Sequence, residues 1–404
     1  MTDDSLFTPR FLVMCGFSFI VFLSAFQLFP TAPFHILDLG GSDAASGLFL
    51  GFLTYASAFS APATGALSDR AGFTRVMVVS SVVLCGFSLA YALLPGYRLM
   101  LGLAIIHGMF WSGLLTASAA YLTNMLPVAR RAEGIGYYGL ASVAAIAVAP
   151  PIGFWVYRWG WRALCLEAAA LNALMAVVAW RIARSGVQQA ENGTVEPRSG
   201  KQRTPASLTP PLAPRTRIIE WRVLILALSL FLCTFGYGGV TSFTALYAAA
   251  WHVAPKGIYL TVLAIVILVT RPLSGRLGDQ LGYRRIYVPC LALIAIGLFC
   301  LTRGGSLVWQ LTSAIVFGAG FGTAYPVFVG YVMQHVTAER RGAAFGAILA
   351  AFDTGIGTGS TSMGWIIGHY GFQTAFGVAA ALSTLSVPYF LIADRAISGS
   401  AQSG

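Results

Sequence analysis

The chain has 404 residues, of which 57% are hydrophobic and only 10% charged, and it carries a formal net charge of +11. A soluble domain has about 25% charged residues, so a water-covered globular surface is excluded and lipid is the solvent for most of the chain. Nucleic acid is likewise not the expected partner, because in a chain of this kind the basic residues report placement across a membrane.

A lipid-spanning helix needs about 20 mostly apolar residues. The sequence predicts twelve of them, at roughly 10–34, 44–67, 74–94, 97–124, 132–158, 162–184, 218–250, 256–278, 285–303, 306–335, 340–368 and 371–393. The first run is long enough to stay as a span, and no cleavable leader is expected. Between the sixth and seventh spans lies 185–217, rich in Ser, Pro, Gln and Arg and holding Pro205, Pro210, Pro211 and Pro214. It has no apolar periodicity and is predicted to be a flexible linker. The expected division is therefore an N-terminal half (1–184), the linker (185–217), a C-terminal half (218–395) and a disordered tail (396–404). With both termini on one side, only Arg98, Arg158, Arg162, Lys256 and Arg303 of the 25 basic residues fall on the other side. That bias predicts cytoplasmic termini and a cytoplasmic linker. The Asn192-Gly-Thr194 sequon then faces the cytoplasm and is set aside. Cys15, Cys85, Cys165, Cys233, Cys290 and Cys300 all lie in apolar runs without metal-ligand spacing, and read as small core hydrophobes.

Two motifs recur at a fixed offset. Pro62-Ala-Thr-Gly65-Ala-Leu67-Ser-Asp69-Arg-Ala-Gly72-Phe-Thr-Arg75 returns as Pro272-Leu-Ser-Gly275-Arg-Leu277-Gly-Asp279-Gln-Leu-Gly282-Tyr-Arg-Arg285, displaced by 210 residues (69 to 279). Arg130-Arg131 with Gly136 returns in the same register as Arg340-Arg341 with Gly346. Two copies of one membrane unit, related by an axis along the membrane normal, explain this offset. The Gly-x-Leu-x-Asp-x-x-Gly-x-x-Arg turn after the second span, repeated after the eighth, resembles the signature of the major facilitator superfamily, and the resemblance covers essentially the whole chain. It implies an all-α membrane protein: twelve helices in two pseudo-symmetric six-helix bundles around a central cavity, working by alternating access.

The turn suits a gate at the cytoplasmic mouth. Gly65 and Gly275 permit close helix approach, and Gly72 and Gly282 a tight reversal. Asp69 and Asp279 stand beside helix N-termini, where the dipole favours a carboxylate. The resemblance implies that Asp69 meets Arg340 or Arg341 across the halves, and that Asp279 meets Arg130 or Arg131, with Arg75 and Arg285 completing the motif. In the fifth span, Ala149-Pro150-Pro151-Ile-Gly153 partly resembles the signature of antiporters in the family, with Ala149 and Phe154 where glycines stand there. It is expected to kink the helix and favours export.

For proton coupling, Asp353 in the eleventh span is the first candidate. An ionised group at mid-bilayer depth costs at least about 2.5–3.5 kcal/mol, so it must face a cavity, meet a cation or hold a proton. His107 in the fourth span is the second, standing near where many relatives carry an arginine; Ala104 and Ile105 replace that arginine here. Arg271 beside Pro272 is expected to snorkel to the interface, with pairing to Asp353 as the alternative, and Glu167 to pair locally with Arg162 or a hydroxyl. The family builds its substrate cavity mainly from helices one, four, seven and ten, which here carry Gln27, Trp111, Tyr237, Phe243, Tyr247, Tyr325 and Gln334. Aromatic walls with few charges suit an amphiphilic or cationic molecule.

The expected protein is a monomeric, multi-pass inner-membrane transporter that exports a small organic molecule in exchange for protons, with lipid and protons as further partners. It is not expected to be an enzyme or to hold a cofactor or metal, and no ATP-binding loop is present. The alternatives are a proton-coupled importer of a sugar or organic acid, and a transporter-like lipid flippase or sensor.

Overall fold

A computed structural model of the chain describes residues 6–127, 130–191, 221–336 and 341–402; the side chains of Ala132, 186–191, Trp221, Gly275, Arg276, Asp279, 341–343 and 396–402 fall outside that description. The described residues form eleven helices: α1 (Pro9–Asp38), α2 (Asp43–Ala71), α3 (Phe73–Leu93), α4 (Tyr97–Met125), α5 (Arg131–Tyr157), α6 (Trp161–Glu191), α7 (Trp221–Ala250), α8 (Ile258–Leu281), α9 (Tyr283–Thr302), α10 (Leu307–His335) and α11 (Arg341–Gln402). Ten helical spans among them are long and apolar enough to cross a membrane, and Ile258–Ser274 in α8 is a shorter apolar stretch.

The count of eleven differs from the expected twelve because α11 runs through both of the last two predicted spans. At 1.5 Å per residue, 62 residues would reach about 90 Å, some three times a bilayer core. Gly371 breaks the run with φ 81° and ψ 171°, dividing α11 into a first arm before it and a second arm after it. The second arm continues to Gln402, so the tail expected to be disordered from 396 is helical to there. α6 likewise continues to Glu191, past the expected boundary at 184, and the remainder of the expected linker lies outside the described residues.

The duplication is visible in the backbone. α2 and α8 end, α4 and α10 begin, and α5 and α11 begin at positions that differ by 210 residues (71 and 281, 97 and 307, 131 and 341). At the two turns, Gly72 has φ 93° and ψ 134°, and Gly282 has φ 89° and ψ 132°. These are left-handed conformations that a Cβ would strain. Each glycine N–H closes the preceding helix at 3.0 Å, on Ser68 and Gly278 respectively. Side chains secure other ends: Thr8 accepts from Phe11 N at 3.3 Å, and Ser42 from Ala45 N at 3.2 Å.

The largest apolar side chains exposed on the bundle surface are Phe59, Leu93, Val308 and Ile392. Hydroxyl groups are spent internally, as where Thr31, Ser81, Thr241 and Thr244 donate to carbonyls four residues back. Apolar outside and satisfied polar groups inside is the pattern that lipid imposes.

Candidate functional site at the seam between halves

The end of the bundle holding the Gly72 and Gly282 turns is here the turn face; the end holding Asp43 and Gly368 is the opposite face. The first arm of α11 lies between α7 of its own half and α2 of the other. Gly355 and Gly359, one turn apart, sit against the α7 carbonyls of Phe231 and Phe235. Gly357 and Gly364 point the other way, to the Gly51 carbonyl and Thr54 Oγ1, and to the Asp43 carbonyl. On α2, Gly47 and Gly51 answer them: a Cβ at Gly47 would strike the Ser360 carbonyl, and one at Gly51 the Thr361 hydroxyl. Small residues spaced by four permit this backbone approach in a membrane, where apolar burial gives helices no special attraction.

Hydrogen bonds cross the seam over the same stretch. Ser360 Oγ donates to Gly47 O at 2.8 Å, Tyr55 and Thr358 share a bond at 2.8 Å, and Ser57 Oγ donates to Asp353 Oδ2 at 3.1 Å. Phe243, fully buried, reaches both Gly47 and Gly364 and plugs the upper seam. On the second seam, Gly257 at the start of α8 packs on Pro150 and Phe154 of α5, and Lys256 Nζ lies 4.8 Å from the Phe34 ring centre. α5 passes through Pro150 and Pro151 as one helix.

Toward the turn face the pattern stops. A Cβ at Gly136, Gly139 or Gly346 would meet nothing within 4 Å, and Phe345 and Tyr137 are exposed. Among the described residues, the halves therefore make close contact at the opposite face, while Gly136, Gly139 and Gly346 at the turn face meet no neighbour. Asp353 stands at the border, twelve residues into α11, about 18 Å from its start at 1.5 Å per residue. It is half-buried, and Tyr325 lies within electrostatic reach of both Asp353 and Arg271. Arg271 is half-buried, with Tyr325 and Tyr237 within electrostatic reach. Tyr237 stacks on Phe321 at 4.2 Å, and Tyr325 meets Phe352 edge-on at 4.9 Å. One carboxyl, one guanidinium and an aromatic wall thus share the C-terminal half's side of the opening.

The other candidates are dispersed. Trp111 packs edge-on to Phe22 and Phe29 within the N-terminal half. Gln27 is fully buried and donates to Glu167 Oε1 at 3.0 Å, which replaces the expected partners of Glu167 with an amide. His107 is buried between α4 and α3, stacked on Phe87 and 3.2 Å from the Tyr91 hydroxyl, within one half and not at the seam. Tyr247 donates to Leu301 O at 2.8 Å inside the C-terminal half, and Gln334 is exposed.

Of the gate, Gly65 is half-buried with Thr116 at 3.7 Å, while Asp69, Gly72, Arg75, Gly282 and Arg285 are exposed. Among the described residues Asp69 forms no ion pair. Arg130 bonds Glu133 through both branches, at 2.9 and 3.0 Å, and Arg131 Nε is buried without a hydrogen-bond partner among the described residues. Arg340 and the side chains of Gly275, Asp279 and Arg341 lie outside the described residues, so neither expected cross-half pair is described. An ion pair the sequence did not announce, buried on its acidic side only, closes the C-terminal half: Arg284 Nε holds Asp394 Oδ2 at 3.1 Å, and Tyr331 donates to Asp394 Oδ1.

Comparison with known proteins agrees with this architecture. The profile of the Major Facilitator Superfamily matches residues 14–254 and 226–403. An uncharacterised MFS-type transporter of Burkholderia pseudomallei (strain 1106a) is 24% identical over 391 residues, spanning 94% of this chain and 91% of that protein. The crystal structure of a bacterial homologue of the human lysosomal transporter Spinster, in an inward-facing and occupied conformation, is similar in fold, with TM-score 0.74 at 15% identity over 96% of each chain. That of a D-xylose–proton symporter gives 0.73 at 16% identity, over 96% of this chain and 97% of the other. With two duplicated helical halves meeting at a glycine-lined seam and a matching profile over nearly its whole length, this chain belongs to the major facilitator superfamily of transporters.

Proposed function

We propose that the chain is a proton-coupled secondary transporter of a small organic molecule, working by alternating access with Asp353 as the proton-carrying group. One observation carries this: a carboxyl at mid-membrane depth sits where the sealed part of the seam ends, held from the other half by Ser57. Opening the opposite face pulls α2 from α11 and breaks that bond. The carboxyl then loses a donor that favours its ionised form, which ties proton uptake to the change of state. Both arms of α11 count as crossings in this reading, giving twelve, with the termini in the cytoplasm of an inner-membrane protein. The present state is then open inward. Asp69 is exposed, as a gate group should be while the gate is open, and the Asp69 and Asp279 pairs with the arginines would form when the turn face closes.

Export is the direction we assign, because the Pro150–Gly153 stretch that resembles antiporters packs directly into the α5–α8 seam. The aromatic wall of Tyr237, Phe321, Tyr325 and Phe352 suits an amphiphilic or cationic cargo paired with Asp353. A second reading has an observation of its own: Arg271 faces Tyr237 and Tyr325 and supplies an interior cation. That suits an acidic or hydroxyl-rich cargo taken up with protons. Everted and right-side-out vesicles, energised by an imposed pH gradient, separate the two. Under the first reading ethidium is expected to move against its gradient in everted vesicles. Under the second, D-xylose or a small organic acid is expected to accumulate in right-side-out vesicles. Asp353→Asn is expected to abolish gradient-driven accumulation of whichever cargo moves, and full accumulation in that variant would overturn the coupling role.

A further inference from the structure

Glu167 and Gln27 meet in the interior of the N-terminal half, on α6 and α1. Gln27 Nε2 donates to Glu167 Oε1 at 3.0 Å. The other oxygen of each group, Gln27 Oε1 and Glu167 Oε2, is buried and accepts from no donor among the described residues. Both are acceptors when the carboxyl is ionised, and a buried acceptor without a donor is destabilising. Two such orphans on one contacting pair share a single remedy: one hydrogen placed between them.

We propose that Glu167 is a proton-binding site that carries its proton on Oε2 and donates it to Gln27 Oε1, closing an amide–acid ring of paired hydrogen bonds. The surroundings offer no competing cation. On α5, Gly153 lies against the pair, its Cβ position 3.0 Å from Gln27 Cβ. The neighbouring polar groups of α1, α3 and α6 are the neutral Ser24, Ser88 and Asn172, bonded among themselves. Arg162 on the same helix is exposed, His35 stacks on Trp161, and Asp38 accepts from Tyr157. Among the described residues Gln27 is the side chain acting on this carboxyl.

The site also has a place in the fold. Gln27 lies against Gly153, and the adjoining Pro150 and Phe154 are the residues that meet Gly257 of the other half. Losing the proton sets a carboxylate oxygen against a carbonyl oxygen one helix behind the α5–α8 seam, loosening α1 from α6 where the opposite face is sealed. The proton here is therefore distinct in position from one on Asp353, since α6 stands behind the seam and α11 forms it.

Infrared difference spectroscopy on the purified full chain in nanodiscs at neutral pH decides the matter, and it needs no cargo. The wild type minus Glu167→Gln spectrum is expected to show the stretch of a protonated carboxylic acid, shifted on exchange into deuterium oxide and further shifted in Gln27→Leu. Carboxylate bands in that difference instead would overturn the proposal. Glutamine at 167 can make both ring hydrogen bonds, so the variant is also expected to melt within error of the wild type. Should it fail to fold, δ-13C-glutamate in the wild type reads the same band by its isotope shift. No protonated glutamate signal in that sample would equally sink the idea. Because Asp353 is present on both sides of the difference, failure of its coupling role leaves this result unchanged.

Discussion

The two halves share a backbone plan and almost none of their interior chemistry. Gly72 and Gly282 adopt the same left-handed turn, and helix boundaries repeat at a fixed offset. Yet at that offset Asp353 stands opposite Val143, Arg271 opposite Ala61, Asp394 opposite Arg184, Glu167 opposite Gly377 and His107 opposite Phe317. Repeated structure therefore follows what lipid demands of any copy: spans of sufficient length, tight reversals and satisfied backbone. Charge in the membrane is expensive and is placed once, where it is used. In a duplicated transporter, the positions that break the internal symmetry are where function is to be sought.

The sharpest way to break this comparison is at the turn face. Removing one partner of a buried ion pair costs about 3–5 kcal/mol. Arg284 is half exposed and solvent screens it, so Arg284→Ala is expected below that range, at about 1–3 kcal/mol, because Asp394 stays buried with Tyr331 alone. At the position equivalent to Asp394 in the other half, Arg184 rests 3.9 Å over the Trp180 ring, and Arg184→Ala is expected to cost about 0.5–1 kcal/mol. Thermal unfolding of the purified variants reads both, and equal losses would mean the halves are braced alike.

A middle-sized effect separates the two ends of the seam. Gly47→Ala drives a methyl into the Ser360 carbonyl and is expected to cost ~1–3 kcal/mol of the closed opposite face. Gly346→Ala meets open space and, as a helical glycine exchanged for a better helix former, is expected to be neutral or stabilising by up to about 1 kcal/mol. Spin-label distances across the opposite face should lengthen in the first variant and stay put in the second. Unchanged distances in both would contradict the assignment of the sealed end.

The smallest effect tests the shared frame itself. Gly72→Ala and Gly282→Ala each place a Cβ at positive φ and are expected to destabilise by about 1 kcal/mol or more, by the same amount within error. A large inequality would show that the turns, though alike in shape, are not equally constrained.

Much of this frame was legible without coordinates. The offset of 210 residues and the glycine turns were in the residue order, because length and reversal leave compositional marks. What escaped was azimuth. Arg271 was expected at the interface or beside Asp353, and has Tyr237 and Tyr325 within electrostatic reach; Glu167 was expected beside Arg162 or a hydroxyl, yet it meets Gln27. A helix apolar on every side has no amphipathic stripe to say which face looks at a neighbour and which at lipid. His107 shows the same limit: its depth was readable, its place between α3 and α4 was not. The last turn posed a different difficulty, since Gly371 interrupts α11 without a polar loop to mark the break.

The glycine face of α11 has a mechanical consequence. Interlocked leucines or phenylalanines would have to be withdrawn from one another before two helices could part, and each would face a rotamer barrier on the way. Gly47, Gly51, Gly357 and Gly364 present mostly bare backbone instead, so that Phe243 is the one large side chain described between Gly47 and Gly364. The opposite face is thus sealed by close backbone contact, with few bulky side chains to withdraw if the two helices part.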